Sequence, residues 1–136
     1  MYTPVSTRSA SAYKRVAVDT GVQSADPHQL VGMLYDGLLQ SLHLARGAMA
    51  RQDLAAKGSA LIKAVRILEE GLKAGLNPAE GGELAQNLRA LYDYCVKRLT
   101  EANLRNDDAA VAEVVALIEP LAQSWKDIRG QVAKGV

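Results

Sequence analysis

Leu76-Asn-Pro-Ala-Glu-Gly-Gly-Glu-Leu-Ala-Gln-Asn-Leu-Arg-Ala-Leu-Tyr-Asp-Tyr-Cys-Val-Lys-Arg-Leu-Thr-Glu-Ala-Asn103 holds a helix stop, a turn and a new helix in one run. Gly75 to Pro78 break the preceding helix, because glycine readily leaves helical geometry and proline cannot continue it. Beyond the turn, Leu84, Leu88, Leu91, Cys95, Leu99 and Ala102 step by three and four, the spacing of one helical face. Asn87, Tyr94, Arg98 and Glu101 keep the same rhythm on an adjoining line. A packed core needs only the first stripe; the second is either a solvated face or a surface that meets a partner.

Outward from this stretch the remaining helices follow. Asp26-Pro27-His28-Gln29 supplies a capping carboxylate, a proline for the first helical position and a glutamine three residues after the cap, so a helix is predicted over about 26–51. Asp53 caps a second helix, 53–75, that buries Leu54, Leu61, Val65, Leu68 and Leu72 and leaves Ile67 off the stripe. The third helix covers 80–106. Asn106 or Asp107 caps a fourth, 108–132, with Val111, Val114, Val115, Ile118, Leu121, Ala122, Trp125 and Ile128 on its buried face. Pro120 lies inside that run and predicts a kink. Strand alternation never appears. Four helices of similar length joined by short loops predict an all-α fold, an antiparallel up-down four-helix bundle over residues 26–132. Residues 1–25 read as a polar, basic, partly disordered N-terminal segment, with Tyr13, Val16 and Val18 as its apolar contacts.

Composition removes whole classes of function. With 136 residues, 49% of them apolar, the chain fits one domain around one core. A formal net charge of +1 is spread through the helices without a basic stripe, which speaks against nucleic acid. The single cysteine, Cys95, falls on the apolar stripe and reads as a small buried hydrophobe. No run approaches the roughly 18 apolar residues of a membrane span, and the N-terminus lacks an apolar signal segment, so a soluble chain that starts inside the cell is expected, with no membrane insertion. Neither His28 nor His43 has a glutamate three residues before it, so the inward Glu-x-x-His pairs of metal bundles are missing, and no metal or other cofactor is expected. Gly81-Gly82 lacks the Lys-Ser/Thr of a phosphate loop and reads as turn chemistry. Nothing points to an enzyme.

Two features of the first helix go beyond a plain bundle. Leu30, Val31, Met33, Leu34, Leu38, Leu39, Leu42, Leu44 and Met49 spread over an arc of about 240°, wider than core packing requires. Neighbouring helices and the N-terminal segment could bury it, or another chain could dock on it, and a displaceable N-terminal lid would do both. Secondly, His43-Leu44-Ala45-Arg46-Gly47-Ala48 resembles the signature of histidine phosphotransfer domains, in which an exposed histidine is followed by a cation and a glycine. A solvated histidine is the plainer reading of His43.

Larger blocks match in order and spacing: Ser24 to Val31, Met33 to Gly37, Leu76-Asn77 with Glu80 to Leu88, then Leu91 to Tyr94, Arg98-Leu99 and Ala102-Asn103. Together they closely resemble the flagellin-specific export chaperone family, FliS, from about residue 24 to Trp125. The resemblance implies a small cytoplasmic helical bundle that binds the disordered C-terminal segment of flagellin, prevents its premature polymerisation and assists type III flagellar export. It also implies that Tyr13, within Ala12-Tyr13-Lys14-Arg15, covers part of the binding surface in the free protein, although Thr3 to Ser11 follow no clear family pattern. The flagellar export gate and an anti-sigma factor are further candidate partners.

Such a role suits the residues. A segment that polymerises through amphipathic helices is silenced when its apolar face lies in a groove between helices, and a disordered client gives a large wrapped surface at modest affinity. The client-binding candidates are Leu30, Met33, Leu34 and Gly37 on the first helix, with Gly37 allowing a backbone to approach, and Asn87, Leu91, Tyr94 and Arg98 on the third. The plainer alternative makes Leu34, Tyr35 and Leu91 core residues. A histidine phosphotransfer domain using His43 and a generic helical adaptor are the competing functions.

Overall fold

Side-chain caps set the helix starts in the computed structural model of the chain, which describes residues 26–135. Asp26 and Gln29 form a reciprocal capping box, with Gln29 N donating to Asp26 Oδ1 at 2.8 Å and Asp26 N donating to Gln29 Oε1 at 3.1 Å, and α1 runs Pro27–Ala50. Asp53 accepts from Ala56 N at 3.1 Å to open α2, Leu54–Arg66. Asn77 accepts from Ala79 N at 3.1 Å to open α3, Pro78–Arg105. Asp107 accepts from Ala110 N at 3.3 Å ahead of α4, Asp108–Gly135. The N-terminal segment read as a lid, Tyr13 included, lies outside the described residues.

The helices neighbour one another in chain order around a ring: α1 packs on α2 and α4, α3 packs on α2 and α4, and α1 and α3 stand on a diagonal. Their directions follow from the cross-links. Arg46, near the end of α1, forms a two-pronged ion pair with Asp108 at the start of α4, at 2.9 and 3.1 Å, while His28 at the start of α1 stacks on Trp125 far along α4. Lys57 donates to the Asn103 carbonyl at 2.9 Å, and Lys73 pairs with Asp93 at 2.6 Å, so α2 and α3 also run in opposite senses. The result is an antiparallel all-α bundle whose core is built from Leu38, Leu42, Leu61, Leu68, Cys95, Leu99, Val111, Val114 and Ile118. Across the diagonal, the buried Tyr35 and Tyr92 join hydroxyl to hydroxyl at 2.6 Å.

Leu84, Leu91, Leu54, Ile67 and Ile128 depart from the expected pattern, Ile128 being 47% exposed on α4 where a buried place was expected. Leu84 is 66% exposed and Leu91 half-buried, while Ala85 and Tyr92 take the inward places with Cys95, Leu99 and Ala102. Gly82, at φ 52° and ψ −127°, bends the chain ahead of this face, and the inward line Ala85, Leu88, Tyr92, Cys95, Leu99, Ala102 keeps the same three-and-four spacing as the expected one. Leu54, expected inside, is exposed beside its cap. Ile67, expected off the stripe, is buried: its N–H still bonds Lys63 O as in α2 and its side chain packs toward Gly37 of α1, and from it Ile67–Lys73 form a π-helical run in which Leu68, Gly71 and Leu72 are buried too. Ala74 N bonds Glu69 O at 3.2 Å, five residues back, at the end of this run. Lys57, a surface residue by type, is buried with its ammonium on Asn103 O and Asn106 Oδ1, where Asn106 ends α3 in the left-handed conformation. Pro120 sits exposed within the single helix α4.

The wide apolar arc of α1 is covered mostly by its two neighbours. Leu34, Leu38 and Leu42 are buried, Leu30, Val31, Met33, Leu39 and Met49 are half-buried, and Leu44 alone of that set stays exposed.

Candidate binding surface

The polar line read on the third helix is drawn together by a residue of the fourth. Tyr94 Oη donates to Glu113 Oε2 at 2.6 Å, Arg98 Nε donates to Glu113 Oε1 at 2.6 Å, and Arg98 Nη1 donates to Glu101 Oε2 at 3.2 Å. Glu113 sits on the exposed flank of α4 opposite Arg98, so both oxygens of its carboxylate are engaged from α3. The Tyr94 hydroxyl and then the Arg98 guanidinium hold the Glu113 carboxyl below the usual carboxylate range, and Glu113 in turn raises both Tyr94 and Arg98. Tyr94 and Arg98 are therefore already spoken for in the free chain. Asn87 is exposed one helical turn and more toward the N-terminus of α3, and Leu91 is half-buried between them.

On α1 the candidates divide. Leu30 and Met33 are half-buried. Met33 lines a groove of about 260 Å³ with His28, Gln29, Gly32, Asp36, Trp125 and Lys126. His28 and Trp125 clasp that groove: their rings stack at 4.3 Å, Trp125 Nε1 donates to His28 O at 2.9 Å, and His28 Nε2 lies 3.2 Å from Trp125 O. Leu34 is 2% exposed, and Gly37 is half-buried. Both lie against the π-helical run: a Cβ at Gly37 would lie 3.6 Å from Ile67 Cδ1, and one at Gly71 would lie 3.0 Å from Leu34 Cδ2.

A second groove, about 250 Å³, opens between α2 and α3 and is lined by Leu61, Ile62, Val65, Leu99, Thr100 and Asn103. Ile62 is 64% exposed on its rim, and Leu61 and Leu99 form its buried floor. A floor of core leucines with an exposed apolar rim is the arrangement that receives one face of an amphipathic helix. At the opposite edge of α1, His43 is exposed in a basin of about 510 Å³ with Arg46, Gly47, Met49, Ala50, Asn106 and Asp108. Arg46, the cation three residues after His43, is engaged by the Asp108 carboxylate.

Sequence reasoning missed Glu113, Ile62 and the His28–Trp125 clasp, because each acts across helices and none stands out in its own periodicity. Gly32 was the available signal for the clasp: a Cβ there would meet Trp125 Cδ1 at 3.5 Å. Among the described residues no cluster of histidine, cysteine, aspartate or glutamate could hold a metal ion, and no helix is long and apolar enough to cross a membrane. Burial, and to a lesser degree Glu113, pushes the Cys95 thiol up to about 11, the state of an inert core cysteine.

Comparison with known proteins gives one consistent answer. A family model described as flagellar protein FliS matches residues 9–132. The flagellar secretion chaperone FliS of Salmonella typhimurium is 50% identical over 117 residues, covering 86% of this chain and 87% of that protein. Its namesake in Escherichia coli is 45% identical over 120 residues, 88% of each chain. That of Bacillus subtilis is 37% identical over 116 residues, 85% of this chain and 82% of the relative.

Proposed function

The chain belongs to the FliS family of flagellar proteins, a family of secretion chaperones and not of enzymes, and we propose that its client is the disordered C-terminal segment of flagellin. Bound in this way, the segment is kept from polymerising early and is handed on to flagellar type III export. The work takes place in the cytoplasm, where flagellin is made, and the export gate and an anti-sigma factor are the further partners this reading carries.

The observation that carries the reading is the apolar groove between α2 and α3, a binding feature without catalytic chemistry beside it. An amphipathic client helix laid there covers Ile62 and buries its own apolar face against Leu61, Val65 and Leu99. Leu30, Met33, Leu34 and Gly37 on α1 and Asn87, Leu91, Tyr94 and Arg98 on α3 extend the contact set on either side. For Tyr94 and Arg98, contact with the client means exchanging the Glu113 carboxylate for client carbonyls or carboxylates, which keeps net affinity moderate and release feasible. The N-terminal segment, through Tyr13, competes with the client as a lid.

Size-exclusion chromatography of the full chain mixed with monomeric flagellin tests this. A one-to-one complex is expected, and it should vanish when the flagellin lacks its C-terminal segment. A complex that survives that truncation would place the contact elsewhere on flagellin and refute the assignment.

A further inference from the structure

Gly58 has no reason within its own chain to be a glycine. It stands in the second turn of α2, where glycine is the poorest helix former after proline, and a Cβ there would meet nothing within 4 Å. Gly32, Gly37 and Gly71, by contrast, each lie against a side chain of another helix. Backbone conformation is not the reason either, since among the described residues Gly82 is the glycine with positive φ.

The open space at Gly58 lies on the groove between α2 and α3. Leu54, Gly58 and Ile62 are spaced by four and share one face of α2. Ile62 forms the rim of the groove, so this face carries the wall on toward the start of α2. On the opposite wall Leu104 follows Thr100 by one helical turn. Lys57 reaches both Asn103 O and Asn106 Oδ1, which puts Leu54 and Leu104 at about the same level of the bundle. They are 62% and 80% exposed, so the groove ends between two unburied leucines. From Leu54 to Val65 the α2 wall is about 16 Å long, three turns of a helix, with Gly58 its low point.

Charge sets what fits. From Leu54 to Leu68 the chain carries Lys57, Lys63 and Arg66 and no carboxylate, and from Val96 to Arg105 the one carboxylate, Glu101, is held by Arg98. Lys63 and Lys97 flank the two walls, exposed and, among the described residues, without an ion-pair partner.

We infer that Gly58 is the crossing point at which a helix of the flagellin C-terminal segment packs backbone-close on α2, its apolar stripe reaching Leu54, Ile62 and Leu104 and its acidic flanks facing Lys63 and Lys97. This rests on the reading of the chain as a flagellin chaperone and adds the register and the chemistry of the client helix. A small client residue faces Gly58 at the crossing, and any side chain placed at 58 pushes the two helices apart.

Gly58→Ala separates a binding glycine from a structural one, because the two roles move stability and affinity differently. With nothing to clash against in the free chain, the full-chain variant should melt about 2–5 °C higher than the parent. Calorimetry with a synthetic peptide of the C-terminal segment of the cognate flagellin should show it binding about three- to tenfold more weakly, and Gly58→Leu more weakly still. Lys63→Glu combined with Lys97→Glu should bind about tenfold more weakly at low salt, with the difference narrowing at high salt. Binding as tight as the parent's, by Gly58→Leu or by the lysine pair, overturns the inference and leaves the chaperone reading in place. A Gly58→Ala chain that melts lower than the parent overturns it equally, since the glycine then serves its own fold. A parent chain that does not bind the peptide at all overturns the chaperone reading and this inference together.

Discussion

Replacing Tyr35 or Tyr92 with phenylalanine tests whether the diagonal of the bundle is held by a hydrogen bond as well as by packing. The two phenols are 4% and 2% exposed and their oxygens stand 2.6 Å apart, so one hydroxyl donates to the other inside the core. Desolvation raises the Tyr35 phenol above its ordinary pKa, against the lowering effect of the Tyr92 bond, as expected for a hydroxyl with little water around it. Tyr35→Phe keeps the ring and its packing but takes from the Tyr92 hydroxyl its partner across the core, and Tyr92→Phe does the reverse. Each single change should cost about 1–3 kcal/mol, the desolvation penalty of a polar group left short of a partner. The double variant removes both hydroxyls together and should cost less than the sum of the singles, with a coupling of about 1–2 kcal/mol. Urea denaturation at neutral pH measures this directly, and each kcal/mol should appear in melts as about 3–6 °C. Single losses within about 0.5 kcal/mol, or strict additivity, would refute the bond as a diagonal tie and leave the pairing of α1 and α3 to side-chain packing alone.

Other perturbations probe the core, the polar cluster and the N-terminal segment. Leu68→Ala removes a fully buried side chain from the core and should cost about 2–5 kcal/mol by chemical denaturation, weakening client binding only through unfolding. Glu113, whose carboxyl is held low by Tyr94 and Arg98, stabilises the fold above the ordinary carboxylate pKa of about 4.3, and that contribution is lost as pH falls through the lowered folded value. Glu113→Gln should therefore be less stable than the parent at pH 7, with the gap closing in denaturation curves recorded at progressively lower pH below the ordinary carboxylate range. Deleting residues 1–18 should lower the melting temperature modestly and tighten client binding measured by calorimetry, since the client then displaces no lid; unchanged values in both would make those residues a tail without a covering role.

The helical architecture was legible because its signals are local. Asp26 with Gln29, Asp53 and the Asn106–Asp107 pair announce helix boundaries through side chains that reach only two or three residues, and the apolar stripes carry the rest. What escaped depends on which residue of a neighbouring helix each side chain meets. On α3 two lines of the same spacing share Leu88, Cys95, Leu99 and Ala102, and Tyr92, given a hydroxyl partner across the bundle by Tyr35, took the inward place while Leu84 went to solvent. Ile67 is inside because α1 presents Gly37 to it, and the π run that follows is not encoded in any single-helix pattern. The candidate surface was legible as a list of residues on two helix lines, but not as a set of contacts, because Glu113, Ile67 and Gly71 reach those residues from other helices.

Isothermal titration of the full chain with a synthetic peptide covering the C-terminal segment of its cognate flagellin, with circular dichroism recorded on the same mixtures, tests the chaperone reading most directly. The account predicts a one-to-one heat of binding and helix content above the sum of the separate components, as the disordered client orders in a groove of the bundle. No heat up to high micromolar concentration, together with spectra that simply add, would contradict it.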